Sequence, residues 1–108
     1  MMDVDAVLIK LKANSMQNVE AWQTELTTRK AEAIETLKAE GVFVESWFYM
    51  ELEGQDYLIA YMRAEDIAKA QHIGRESHFP IDAMHKQFKQ NWERGYKATL
   101  LVDLENDK

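Results

Sequence analysis

The chain has 108 residues, 46% hydrophobic and 30% charged, which suits one globular domain spanning 1–108 with its own core. A net charge of −6 with scattered Lys and Arg argues against nucleic acid as a partner, because that affinity rests on neutralising phosphates. Without Cys there is no disulfide framework or thiolate metal site, and no apolar run approaches the ~20 residues of a membrane span, so a soluble, cytoplasmic protein is expected.

Residues 4–12 read as a first strand, with Val7, Ile9 and Leu11 on one face and Leu8, Lys10 and Lys12 on the other. Asn14-Ser15 offers a helix N-cap, and the stripe Val19, Trp22, Leu26, Ala33, Leu37 predicts one helix running to about Glu40, which Gly41 ends. Residues 42–53 form a long strand rich in β-branched and aromatic side chains. Gly54 and Asp56 mark a hairpin, and residues 57–64 return. Residues 65–73 read as a short helix, and 74–79 as a break. Pro80 suits the first turn of a further helix, carrying Ile81, Met84, Phe88 and Trp92 on one stripe and ending near Gly95. Residues 96–104 read as the last strand.

This order, βαββαβ, predicts an α+β fold of the ferredoxin-like kind, with a four-stranded antiparallel sheet. Strand alternation gives one mainly aliphatic face (Val7, Ile9, Leu11, Val42, Val44, Phe48, Met50, Leu58, Ala60, Met62, Ala98, Leu100, Val102). The other is aromatic and polar (Leu8, Lys10, Phe43, Glu45, Trp47, Tyr49, Tyr57, Ile59, Tyr61, Arg63, Thr99, Leu101). Helices cover only one face of such a sheet, and the aliphatic set suits that side. The aromatic face exceeds what a monomer leaves wet, so a homodimer with sheets packed face to face is expected, with Trp47 in the interface.

The segments Arg29-Lys30-Ala31-Glu32, Leu37-Lys38-Ala39-Glu40-Gly41, Val44-Glu45-Ser46, Asp56-Tyr57-Leu58 and Met84-His85-Lys86 carry a resemblance to the dimeric α/β-barrel superfamily. That superfamily includes antibiotic-biosynthesis and haem-degrading monooxygenases and L-rhamnose mutarotase. More narrowly, the chain resembles a small bacterial family of unknown function. The resemblance implies a dimeric α/β barrel with a pocket between helices and sheet, and no particular reaction. On the mutarotase comparison Trp22 stands where that family has a tyrosine and Leu26 where it has its catalytic histidine. An apolar Leu26 moves no proton.

Among titratable residues, His85 lies on the apolar stripe of the last helix, where it is a candidate general base or ligand; the alternative is a core histidine satisfied by a neighbour. Arg29 flanks the first helix stripe, either at a pocket rim or paired with Glu25 or Glu32. Glu45, on the interface face, reads as a base or ligand anchor, or as half of a buried pair with Lys10 or Arg63. Trp22 and Trp92 line a pocket or simply fill the core, and Tyr61 stands beside Glu45 on the aromatic face. No nucleotide fingerprint, P-loop or nucleophile elbow is present, and no cofactor is expected. The expected function is binding or transformation of a small organic molecule with an anionic or polar group, held by Arg29 and His85. The alternatives are a non-catalytic structural or interaction dimer, and a mutarotase-like or cofactor-free monooxygenase-like enzyme.

Overall fold

A computed structural model describes residues 2–106. The chain runs β1 (Asp3–Leu11), α1 (Met16–Thr28), α2 (Lys30–Glu40), β2 (Val42–Leu52), β3 (Gln55–Ala64), α3 (Ile67–Glu76), α4 (Pro80–Phe88) and β4 (Trp92–Lys97), with one 3-10 turn over Lys89–Asn91. Every neighbouring pair in the sheet is antiparallel, in the order β2-β3-β1-β4. This is the expected ferredoxin-like arrangement, with two helical segments in each of the two crossovers.

The long first helix is two. Arg29 leaves helical geometry (φ −106°, ψ 37°) just after the β-branched pair Thr27-Thr28, whose restricted side chains favour helix poorly. α2 is thereby re-aimed: Thr36 is buried, while Ala33 and Leu37 of the expected stripe are half-buried. Ser15 is buried without capping α1; its hydroxyl donates to the Lys12 carbonyl at 2.7 Å. Gly41 does end α2, at φ 74° and ψ 27°, in the left-handed conformation that a Cβ makes costly. α3 takes its N-cap from Asp66, whose carboxylate accepts from the Lys69 N–H at 3.0 Å.

α4 stops at Phe88, so Trp92 opens β4 and Gly95 lies inside that strand opposite Ile9. Spacing could not separate these cases, because Trp92 packs on Phe88 from either element. The expected strand at 96–104 is present only as far as Lys97; residues 98–106 have no regular secondary structure.

The larger correction concerns β2. The pairing with β3 slips by one residue between Val42 and Val44. A slip of one residue sends every later side chain to the opposite face. Val42 pairs with Ala64 and is buried beneath the helices, but beyond the bulge Glu45, Trp47 and Tyr49 lie opposite Met62, Ala60 and Leu58, the helix-facing set of β3. Glu45, Trp47 and Tyr49 therefore leave the expected interface face, and Val44, Phe48 and Met50 take their place beside Arg63, Ile59 and Tyr57. The outer face is still too apolar for water: Phe48 is 55% exposed, and Val44, Met50 and Tyr96 are exposed with it.

Under the helices the core forms two clusters. One joins Ile9, Leu11, Val19, Trp22, Leu58 and Phe88 beneath α1 and α4. The other joins Val42, Ala64 and Ala70, with Leu37, Met62 and Ile67 against it, beneath α2 and α3.

Candidate functional site

The two core clusters do not meet everywhere. Between them lies a cavity of about 900 Å³, lined by Leu26 of the first cluster's surround, by Leu37, Met62 and Ala70 of the second, and by Trp47 from the sheet. That volume is of the size that holds a small organic molecule. Arg29 separates α1 from α2 at the edge of this region, and the bulge in β2 brings Glu45 and Trp47 under the helices.

An aromatic cluster forms one end. Trp22 stacks on Phe88 with ring centroids 4.4 Å apart and meets Trp47 edge-on at 5.0 Å. His85 lies 5.4 Å from Trp47, and Trp92 packs against both. The Trp22 indole Nε1–H donates to His85 Nδ1 at 3.1 Å. An indole N–H only donates, so Nδ1 must carry the lone pair and the imidazole proton sits on Nε2. His85 is thus held neutral, as a donor. Burial, aided by the nearby Lys89 ammonium, pushes its pKa down to about 4. Nε2 makes no hydrogen bond among the described residues, and His85 lines the cavity. The expected general base is therefore a poor one, because the nitrogen that would take a proton is engaged by Trp22.

Trp47 in turn holds Glu45: its Nε1–H donates to the Glu45 carboxylate at 3.0 Å. Burial raises the pKa of this carboxyl, the Trp47 hydrogen bond lowers it in part, and the Asp82 charge raises it further. Neither Lys10 nor Arg63 pairs with it: Lys10 bonds Glu93 at 3.1 Å, and Arg63 bonds Asp103 at 2.6 Å. Glu45 and His85 thus line one cavity, each held by a tryptophan N–H.

Two further acids line the cavity, and neither stood out in the sequence. Asp82, in the first turn of α4, bonds the Ser77 hydroxyl. Glu40, at the end of α2, is half-buried beside Gly74 of α3, where a Cβ would lie 3.2 Å from its Oε2. Burial first, then the Asp82 and Glu45 charges, push the Glu40 pKa up to about 7. Charged residues at helix ends are commonplace, and only the packing of α2 on α3 and α4 brings these together. Among the described residues, no group of three or more His, Asp or Glu is placed to hold a metal ion.

Glu40 gives the fold a pH dependence of known sign. A carboxyl whose folded pKa exceeds its unfolded value binds more protons folded than unfolded, so it destabilises progressively as pH rises from about 4.5 to about 7. Glu40→Gln is expected to stabilise the protein at pH 8 by about 1–2 kcal/mol, discounted for partial solvent screening, relative to its effect at pH 4. Urea midpoints of the two proteins at both pH values measure this; a difference independent of pH contradicts it.

Of the other expected site residues, Trp22 and Trp92 support the cavity from behind His85 rather than lining it. Arg29 is outside: its guanidinium forks onto Glu32 at 2.8 and 2.9 Å and reaches Glu25 at 3.4 Å. Tyr61 lies on the outer face beside Ala6 and Ser46 and accepts a hydrogen bond from Arg63 Nε. The expected anion clamp of Arg29 and His85 does not assemble.

Comparison with known proteins supports the fold and leaves the chemistry open. Residues 2–108 match a family described as "Family of unknown function (DUF6176)". No curated protein matches the sequence. A solved structure, a dimeric ferredoxin-like protein from an uncultured marine organism, superposes with a TM-score of 0.58 at 11% identity, over 95% of this chain and 91% of that one. At that identity the likeness is one of fold.

Proposed function

We propose that this chain, which belongs to the DUF6176 family of unknown function, works as a homodimer that binds a small, mainly apolar molecule bearing a hydroxyl or phenol group in the cavity between its helices and sheet. The observation that carries this is that Glu45 and His85 line one cavity and both contact Trp47. A hydroxyl both accepts and donates. Seated there, it takes the His85 Nε2–H and gives its own hydrogen to the Glu45 carboxylate. Because burial makes Glu45 a stronger base than a solvated carboxylate, a phenol bound there transfers proton density toward it. Trp47 and Met62 supply the apolar wall. The lining carries both signs of charge, Glu40, Glu45 and Asp82 with Lys30, Arg75, Lys86 and Lys89, so the preference for a hydroxyl rests on the two hydrogen bonds and not on net charge. The dimer rests on the exposed apolar outer face and on the dimeric state of the solved protein of like fold.

The test is a thermal-shift screen pairing small phenols and alcohols with carboxylates of matched shape, on the wild-type protein, Glu45→Gln and His85→Phe. Phenols are expected to raise Tm in the wild type, the rise falling by more than half in each variant, while the carboxylates do little. Tm shifts of equal size in all three proteins contradict the site, as do carboxylates outperforming phenols.

A further inference from the structure

Residues 98–106 pose the sharpest unsolved packing problem in the molecule. Leu100, Leu101, Val102 and Leu104 are 54%, 91%, 68% and 86% exposed. Single exposed leucines need no explanation, but four apolar side chains within five residues do. The segment is nonetheless held at both ends. The Ala98 N–H donates to the Ala6 carbonyl at 2.9 Å, and Arg63 of β3 bonds Asp103 at 2.6 Å and Glu105 at 3.3 Å. Arg63 and Ala6 belong to β3 and β1, and the Arg63 side chain emerges on the outer face. The segment is thus pinned beside that face with its leucines in water. The bare part of the same face runs along β2 from Val44, beside Arg63, to Phe48 and Met50, all exposed.

From this we infer that residues 98–105 are an arm that seats its leucines on the bare β2 half of the outer face of a second copy of this chain. The inference rests on the homodimer proposed above and adds which parts meet. A two-fold axis pairs arm with strand twice, so each copy supplies the knob and the seat that the other lacks. The β2 strand is also a long edge strand with apolar side chains, the kind of edge that proteins cover. The exposed side chains of arm and seat together present an area on the order of the ~800 Å² that each partner gives to a stable interface. The arm needs no rearrangement to dock, since its pins lie within its own protomer.

Sedimentation equilibrium of the full chain, of a chain ended after Lys97, and of the full chain carrying Leu101→Asp and Leu104→Asp tests this. Loss of the leucine contacts is expected to weaken dimerisation about a hundredfold or more in both altered proteins. Circular dichroism should show an intact fold in the doubly substituted chain, whose changes fall on exposed positions. A second measurement is independent of dimer strength. The natural chain has no Cys, so Leu101→Cys protein mixed with Phe48→Cys protein should form an intermolecular disulfide under mild oxidation, well above a Glu20→Cys control. Undiminished dimerisation of the altered chains overturns the arm while leaving the dimer standing. A monomeric full chain overturns both, and the ligand site is judged separately by the thermal-shift screen.

Discussion

Trp22→Ala is expected to lower the free energy of unfolding by about 3–5 kcal/mol, enough to bring a small domain near its unfolding threshold. Trp22 is 5% exposed. It stacks on Phe88, meets Trp47 edge-on, and its N–H satisfies His85 Nδ1. Alanine removes the ring, opens a cavity in the larger core cluster and strips a buried imidazole nitrogen of its donor. Trp22→Phe separates the two effects. It keeps most of the apolar volume and loses the hydrogen bond, so a smaller loss of about 1–2 kcal/mol is expected. Urea denaturation of the three proteins at pH 7 measures both. A loss below about 1 kcal/mol for alanine would mean that Trp22 is not the centre of the packing.

Phe48→Lys is expected to turn the proposed dimer into a monomer at micromolar concentration without unfolding it. Phe48 sits on the outer sheet face beside Ile59, with Tyr57 diagonal to it and Met50 two residues along its own strand. In a face-to-face dimer a lysine there places an unpaired ammonium against apolar surface, a loss of several kcal/mol counted twice across a two-fold axis. In the monomer the same lysine points into water, since Phe48 is already exposed in the isolated chain. Trp47→Lys, the change the bare alternation suggests, is expected instead to damage the fold, because Trp47 packs on Trp22, His85 and Trp92. Size-exclusion light scattering and circular dichroism of the two variants tell these outcomes apart. Dimeric Phe48→Lys protein would falsify the face-to-face arrangement.

That contrast shows how far residue pattern reaches in this chain. Apolar spacing and turn residues give the element order, the hairpin at Gly54 and the end of α2 at Gly41, because each is a local preference written in local residues. The faces of β1 and β3 follow from alternation for the same reason. The face of β2 does not, because a bulge between Val42 and Val44 costs one residue of register and leaves no composition signal. That single slip moves Glu45 and Trp47 from the supposed interface into the cavity. His85 was legible as the titratable residue on an apolar stripe, but its role was not, since the partner that fixes its protonation is 63 residues away in sequence. The tail at 98–104 has the composition of a strand, but β4 ends at Lys97, opposite Val7, while its neighbour β1 extends to Asp3.

The proposed ligand site stands on the state of one imidazole. Two-bond proton–nitrogen correlation spectra of uniformly nitrogen-15-labelled protein read that state directly for His85. The expected result at pH 7 is a neutral ring with the proton on Nε2 and a bare, hydrogen-bond-accepting Nδ1, titrating only near pH 4. In Trp22→Phe the same resonances should move as Nδ1 loses its donor. A proton on Nδ1, or a ring that charges near pH 6.5, would contradict the Trp22–His85 hydrogen bond and with it the donor that the cavity offers a ligand.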